Sequence, residues 1–340
     1  MESMTCIELS GTALTGIAPH NAMMASLPHK VCLGRIKPKA LPQTLELENY
    51  MSFEAAGPLP ASINRRDKAA KSLSRMYKND QWGCCVFSSK AHALGLWSAN
   101  DSDSPGEVQA TDAEIEKQYF DYTGGRDIGA SISEVLDIMR SKGFMAGGKL
   151  YKIDGYVSAD WTKKELTKVS QLIFGANTIG FDLPGEWTSK AIWKPTNSGI
   201  VGSHDVLPVD YDDQGVYVSS WGRIYLFTWE AWLSERWISE YYAMLAPLWY
   251  NSDMIAPSGF NATKLRDHLQ LIGNGIIPDI TPPPPPVPTP TAQWLMALGN
   301  DLPAGPCTIT SGGVIIQANV STLRPAGTYL MTTLDQEPPQ

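Results

Sequence analysis

The sequence predicts an α+β protein whose helices come first and whose strands follow. Three observations lead there: apolar residues at helical spacing between Val86 and Lys142, short strand-like segments between turn residues from Tyr156 to Asp210, and a proline run after Ile280 that sets off a β-rich end. An alternating α/β chain would place a helix after each strand, and this one does not. With 43% hydrophobic and 18% charged residues the composition is that of a globular chain, and 340 residues can bury a substantial core. The formal net charge of −8 has the wrong sign for tracking phosphates or anionic lipid, so neither a nucleic acid nor a membrane is expected as partner.

Residues 1–58 are rich in small residues and proline, with little periodicity, and read as an extended leader laid over the domain. Glu2 and Glu8, with no basic stretch before an apolar run, predict no secretory signal, and no run reaches transmembrane length. The expected location is therefore cytoplasmic or virion-associated. Gly83 breaks the chain before a helix that starts at Cys85 and carries Val86, Phe87, Ala91, Leu94 and Trp97. Thr111-Asp112-Ala113-Glu114 is a capping box that opens a second helix, ending near Thr123-Gly124-Gly125. A third runs from Ser131 to Lys142, with Ile132, Val135, Leu136 and Met139 on one face and Gly143 as its stop. Strand-like segments follow at Tyr156-Val157, Thr178 to Leu183 and Asp205 to Asp210. The expected organisation is a leader (1–58), a main domain (59–280), a stiff Pro-rich linker (281–291) and a small β-rich module (292–340), the last marginal by itself and in need of a partner surface.

Five scattered cysteines (Cys6, Cys32, Cys84, Cys85, Cys307) argue against a disulfide framework and for a reducing compartment or indifference to redox. Adjacent Cys84 and Cys85 bridge only with strain, so they read as two thiols with different tasks. A thiol nucleophile needs the unpaired amides of a helix start and a nearby imidazole. Cys85, between a glycine turn and an apolar helix, meets the first condition; from that stretch alone a buried structural cysteine remains equally open. His204 lies in Gly202-Ser203-His204-Asp205-Val206-Leu207-Pro208-Val209-Asp210-Tyr211, followed by Gly215-Val216-Tyr217-Val218-Ser219-Ser220-Trp221-Gly222.

This order resembles the papain family of cysteine peptidases, over roughly Leu59 to Trp249. Asn79-Asp80, Gly83, Cys85, Ala91-His92-Ala93, Leu96-Trp97, Trp221-Gly222 and Thr228-Trp229 are most similar to a divergent branch found in bacteria and phages. The resemblance implies a papain-like fold of two subdomains, a helical half bearing the nucleophile and an antiparallel β half. It implies Cys85 as nucleophile, His204 as base, Asn79 or Gln81 as the side-chain donor to an oxyanion, and Trp221 as the shield of the histidine. Ser219 stands where the family has the asparagine that orients the imidazole, Asn79 where it has glutamine, and Val86 where it commonly has tryptophan. Cleft walls are expected at Trp82, Gly124, Gly125, Trp187 and Trp221.

Other residues read as structural. His92 is expected to be a packed histidine, and the aromatics from Trp229 to Tyr250 core. No Cys/His spacing suits zinc and Gly147-Gly148 fits no nucleotide fingerprint, so no metal and no cofactor are expected. Two functions follow. One is a thiol hydrolase of peptide or isopeptide bonds with a peptide or protein substrate. The other is a catalytically weak papain-fold component of an assembly such as a phage particle, joined to copies or partners through the N-terminal arm and C-terminal module.

Overall fold

The computed structural model describes residues 5–8, 30–38, 45–49, 59–101 and 106–273, together with four strands beyond residue 292. The chain forms two compact units, Met1–Pro283 and Pro284–Gln340. The proline run 281–291 and most of the leader lie outside the described residues.

After the single turn α1 (Ala70–Leu73), the central helix α2 (Cys85–Asn100) is buried from Cys85 to Ala99. A helix apolar all round belongs inside, and its polar residues there need partners. Ser98 Oγ donates to the Leu94 carbonyl (2.7 Å) and Ser88 Oγ to the Cys84 carbonyl (3.1 Å). Lys90 Nζ pairs with Asp205 Oδ2 at 2.9 Å and donates to Thr178 Oγ1 at 2.8 Å, while that hydroxyl donates to Asp205 Oδ1 at 2.6 Å. The expected capping box opens α3 (Asp112–Thr123): Thr111 Oγ1 accepts from the Glu114 amide and the Glu114 carboxylate from the Thr111 amide. Gly124, at φ 65°, closes it. Helix α4 (Ile132–Ser141) buries Ile132, Val135, Leu136 and Met139, and Gly143 turns the chain at φ 95°. The hairpin β3 (Phe144–Ala146) and β4 (Lys149–Tyr151) follows.

The β half is one seven-stranded sheet of β5 (Gly155–Ser158), β6 (Asn177–Pro184), β7 (Ile192–Trp193), β8 (Ile200–Tyr211), β9 (Gly215–Ser220), β10 (Arg223–Thr228) and β11 (Ile238–Leu245). Its order is β5-β11-β6-β8-β9-β10-β7, antiparallel except where β7 joins β10. Helix α5 (Lys164–Phe174) packs on the sheet, α6 (Trp229–Trp232) follows β10, and α7 (Thr263–Gly273) contacts β5. The long strand β8 is central, and α2 lies against it, which brings the start of the helix to the strand bearing His204.

At the N-terminal side, β1 (Thr5–Glu8) pairs with β2 (Lys30–Leu33), and a disulfide joins Cys6 to Cys32. This bridge departs from the expectation of no disulfide framework. The two stand directly opposite in an antiparallel pair, a nearness that spacing in the chain could not reveal. Cys84 and Cys85 are free thiols. In the second unit β12 (Gln293–Leu298) pairs with β15 (Gly327–Thr332), and β13 (Gly305–Ser311) with β14 (Val314–Val320). Among the described residues no helix is long and apolar enough to cross a membrane.

Candidate active site

Cys85 is the first residue of α2, where backbone amides lack intrahelical partners, and it is 1% exposed. Burial pushes its thiol up to about 12, and the Asp205 carboxylate acts the same way. The backbone amides of Asp205 and Gly34 and the Lys90 ammonium pull in the opposite direction. Cys84, one residue earlier, turns inward: its Sγ donates to the Tyr77 carbonyl at 3.4 Å, and burial raises its thiol further still.

His204 is fully buried, opposite Phe181 of β6, with its ring stacked on the Trp221 indole at 4.2 Å and 17°. Its Nε2 lies 2.6 Å from Ser220 Oγ, and its Nδ1 has no hydrogen-bond partner among the described residues. Burial, followed by the positive charge of Arg35, brings the imidazole down to about 3. Near neutral pH the site therefore holds a neutral thiol and a neutral imidazole that are not hydrogen-bonded.

The expected place of Ser219 needs correction. Successive side chains of a strand point to opposite faces, so only one of Ser219 and Ser220 can meet His204. That one is Ser220, whereas Ser219 Oγ lies 3.3 Å from His92 Nδ1. His92 Nε2 contacts the Arg75 carbonyl at 3.0 Å, so both its ring nitrogens are occupied, and burial lowers its ring to about 4.

Of the two candidate amides, Asn79 is buried, with Nδ2 donating to the Cys32 carbonyl (2.9 Å) and the Trp82 carbonyl (3.1 Å). Gln81 is exposed, its Oε1 accepting from Lys78 Nζ at 3.2 Å. Trp82 is half-buried, with Nε1 donating to Glu116 Oε1 at 2.9 Å. Gly124 and Gly125 are exposed residues with positive φ that end α3, and a Cβ on either would meet nothing within 4 Å. Trp187 is 1% exposed and stacked on Trp193 at 5.4 Å, in an aromatic core with Phe181 and Phe227; it lines no open wall.

What sequence reasoning missed is the segment 30–37 drawn across this site. The Cys32 amide donates to the Asn79 carbonyl (2.9 Å), the Ala130 amide to the Gly34 carbonyl (2.7 Å), the Ile36 amide to the Ala130 carbonyl (2.9 Å) and the Arg35 amide to the Ser203 carbonyl (3.3 Å). Leu33 rests on Gly202, and Gly34 is so close to Gly83 that a Cβ would stand 1.8 Å from the Gly83 carbonyl oxygen. Lys37 reaches Asp182 at 2.6 Å. The strap thus touches residues before Cys85, the Gly129-Ala130 turn, and the strand just before His204. Its Arg35 enters the β half, where Nε meets Glu240 Oε1 at 2.6 Å and Nη2 donates to Ser239 Oγ at 2.7 Å. Among the described residues, no group of three or more His, Cys, Asp or Glu is arranged to hold a metal ion.

A thiol at the start of a buried helix, set against an antiparallel sheet whose histidine lies under a tryptophan, defines a papain-like architecture. No family model matches the chain, and no curated protein matches it. Among solved structures, xylellain, a cysteine protease from Xylella fastidiosa, is similar with a TM-score of 0.51 at 16% identity, covering 63% of this chain and 96% of its own. Procathepsin B S9 from Trypanosoma congolense gives a TM-score of 0.46 at 10% identity, over 64% of this chain and 86% of its own. The chain has a papain-like fold, shared with cysteine proteases.

Proposed function

We propose that the protein is a thiol hydrolase of peptide or isopeptide bonds, held latent by its own residues 30–37. The observation that carries this is the state of His204. Nε2 is hydrogen-bonded with Ser220 Oγ, Nδ1 has no partner among the described residues, and the Trp221 indole covers the ring. The tautomer protonated at Nε2 is the one that can take a thiol proton at Nδ1; a serine hydroxyl both donates and accepts, so Ser220 holds the ring and is compatible with that tautomer without imposing it.

In this reading Cys85 attacks the carbonyl carbon of an amide while its proton passes to His204 Nδ1. The oxyanion is met by the Cys85 backbone amide and by the Asn79 N–H now occupied by the Cys32 carbonyl. The imidazolium then protonates the departing amine, and water releases the acyl group from sulfur with His204 as base. Latency follows because the strap occupies the donor and keeps the pair dry and uncharged.

A second reading has an observation of its own. Neutral Cys85 and His204, with Asn79 fully committed, also suit a papain-fold protein that has given up catalysis to serve in an assembly such as a phage particle. Labelling with a thiol-directed epoxide separates the two. The chain opened by Gly34→Ala should react at Cys85, and adding either Cys85→Ala or His204→Ala should abolish the reaction. Labelling indifferent to His204, or no labelling of a folded, opened chain, supports the second reading.

A further inference from the structure

We propose that the buried Lys90–Asp205 pair is the positioning pair of this site: it fastens the helix of the thiol to the strand of the histidine and balances the charge that the Cys85 sulfur feels. The inference rests on the thiol-hydrolase reading above and adds to it the residues that govern the nucleophile.

Lys90 is the only charged residue of α2, and its side chain and that of Asp205 are both 0% exposed. A buried ion pair adds little stability over apolar side chains of similar volume, so its presence here asks for another role. Every polar atom in it is used. The ammonium directs its hydrogens to Ser89 Oγ (3.1 Å), Thr178 Oγ1 (2.8 Å) and Asp205 Oδ2 (2.9 Å), and the Thr178 hydroxyl donates to Asp205 Oδ1 at 2.6 Å. A network satisfied in this way holds its members rigidly. It joins three elements at one point: α2 through Lys90, β6 through Thr178 and β8 through Asp205, with β6 and β8 already paired there, Gly180 opposite Asp205.

The place of the pair links it to the chemistry. Asp205 directly follows His204, and its backbone amide faces the Cys85 sulfur. Lys90 lies on the same helix as Cys85, about 7.5 Å of rise further along. A shift at either end of the pair therefore moves the nucleophile against its base. The two charges act on the sulfur in opposite senses: the carboxylate opposes a thiolate, and the ammonium, with the smaller effect, favours it. The other titratable or charged neighbours are Cys84 on α2, which burial keeps neutral, His204 on β8, and Arg35 on the strap, which acts on His204.

The test uses the full chain carrying Gly34→Ala, so that the strap and Arg35 are withdrawn from every sample alike. This chain is compared with the same chain bearing Asp205→Asn, Lys90→Met or both. Carbamidomethylation of Cys85 by iodoacetamide is followed against pH by mass spectrometry. Asp205→Asn should lower the midpoint by about one pH unit, and Lys90→Met should raise it by about one. Two substitutions that merely weaken the fold would not move the midpoint in opposite directions. Positioning is read separately. A thiol-directed epoxide needs a proton delivered to its opening oxygen, so its rate relative to iodoacetamide reports the Cys85–His204 pair rather than the thiol alone, and with both residues replaced that ratio should fall about tenfold. Midpoints that stay within about 0.3 unit or shift in the same direction, or a ratio that holds within about twofold, overturn the proposal while leaving the hydrolase reading intact. If epoxide labelling of the opened chain ignores His204, the hydrolase reading is what fails, and the opposed midpoint shifts still decide the pair. Should Lys90→Met not fold, the lysine is read as the difference between Asp205→Asn and Lys90→Met/Asp205→Asn, in which no carboxylate is left unpaired; the midpoint should rise, and equal midpoints overturn the proposal.

Discussion

Gly34→Ala offers the sharpest perturbation of the site, because a methyl group at this position has nowhere to go. All three of its nearest neighbours are backbone atoms of Gly83, at 1.8, 2.3 and 2.4 Å, and Gly83 is fixed through its amide to Asp127 Oδ1 at 3.0 Å. The strap must therefore leave the helix start, and Cys85 is wetted. With the thiol at about 12, the thiolate fraction at pH 7 is roughly 10⁻⁵; an ordinary hydrated cysteine, near 8.5, gives about 3 × 10⁻². The thiolate population thus rises about 3,000-fold. A less basic thiolate is also a weaker nucleophile, with a Brønsted slope of about 0.45, which takes back roughly a factor of forty. The net expectation is about a hundredfold faster carbamidomethylation by iodoacetamide at pH 7, read by mass spectrometry at Cys85, with Cys85→Ala as the blank. The pH profile is a second signature: the variant levels off near pH 8 to 9, while the parent keeps rising about tenfold per pH unit toward pH 11. A folded variant that labels within threefold of the parent would refute the reasoning that the strap silences the thiol.

Three further outcomes are expected. Cys6 is exposed, so mild reductant should open the Cys6–Cys32 bridge; losing a cross-link between residues 26 positions apart should lower stability by about 3 kcal/mol and speed Cys85 labelling several-fold, and equal rates in the oxidised and reduced chains would count against a role in holding the strap. Lys90→Met leaves the Asp205 carboxylate buried and unpaired, so urea unfolding should register a loss of about 3–5 kcal/mol, largely recovered in Lys90→Met/Asp205→Asn; a loss below about 1 kcal/mol would show the pair to be dispensable. His92 and His204 are both held neutral, near 4 and 3, below the unfolded value of about 6.5, so their contribution is complete above pH 6.5 and is lost as pH falls toward 4 and 3. Between pH 6 and 4.5 His92→Gln should therefore lessen the acid slope of stability by about 1.4 kcal/mol per pH unit, and an unchanged slope would mean that His92 is not held neutral.

The parts of this architecture that announce themselves in sequence are those decided locally. The capping box at Thr111, the glycine stop at Gly143 and the apolar face of α4 depend on neighbours three or four residues away, and the structure follows them closely. Cys85 at a helix start and His204 in a strand before a turn and Trp221-Gly222 were legible for the same reason. Ser220 was not, because two adjacent serines on a strand differ only in which face they present, and that phase is set by pairing with β8 and β10. The Cys6–Cys32 bridge and the Arg35–Glu240 pair join residues whose partners are fixed by strand register or by a contact across 205 positions. Charged residues of that kind look like surface until the fold encloses them.

If the protein is the latent hydrolase proposed above, the strap constrains how it can be switched on. The strap holds Asn79, Ala130, Ser203 and Glu240. Because the strap is part of the chain, it would compete as an intramolecular ligand at high effective concentration, and an incoming peptide could not match it by affinity alone. Opening would therefore act on the strap itself, and the exposed end of the Cys6–Cys32 bridge is an anchor that outside chemistry can reach. Breaking the Arg35–Glu240 pair should loosen the strap, so Glu240→Gln should raise Cys85 labelling at pH 7, and labelling equal to that of the parent would mean that the pair does not hold the strap.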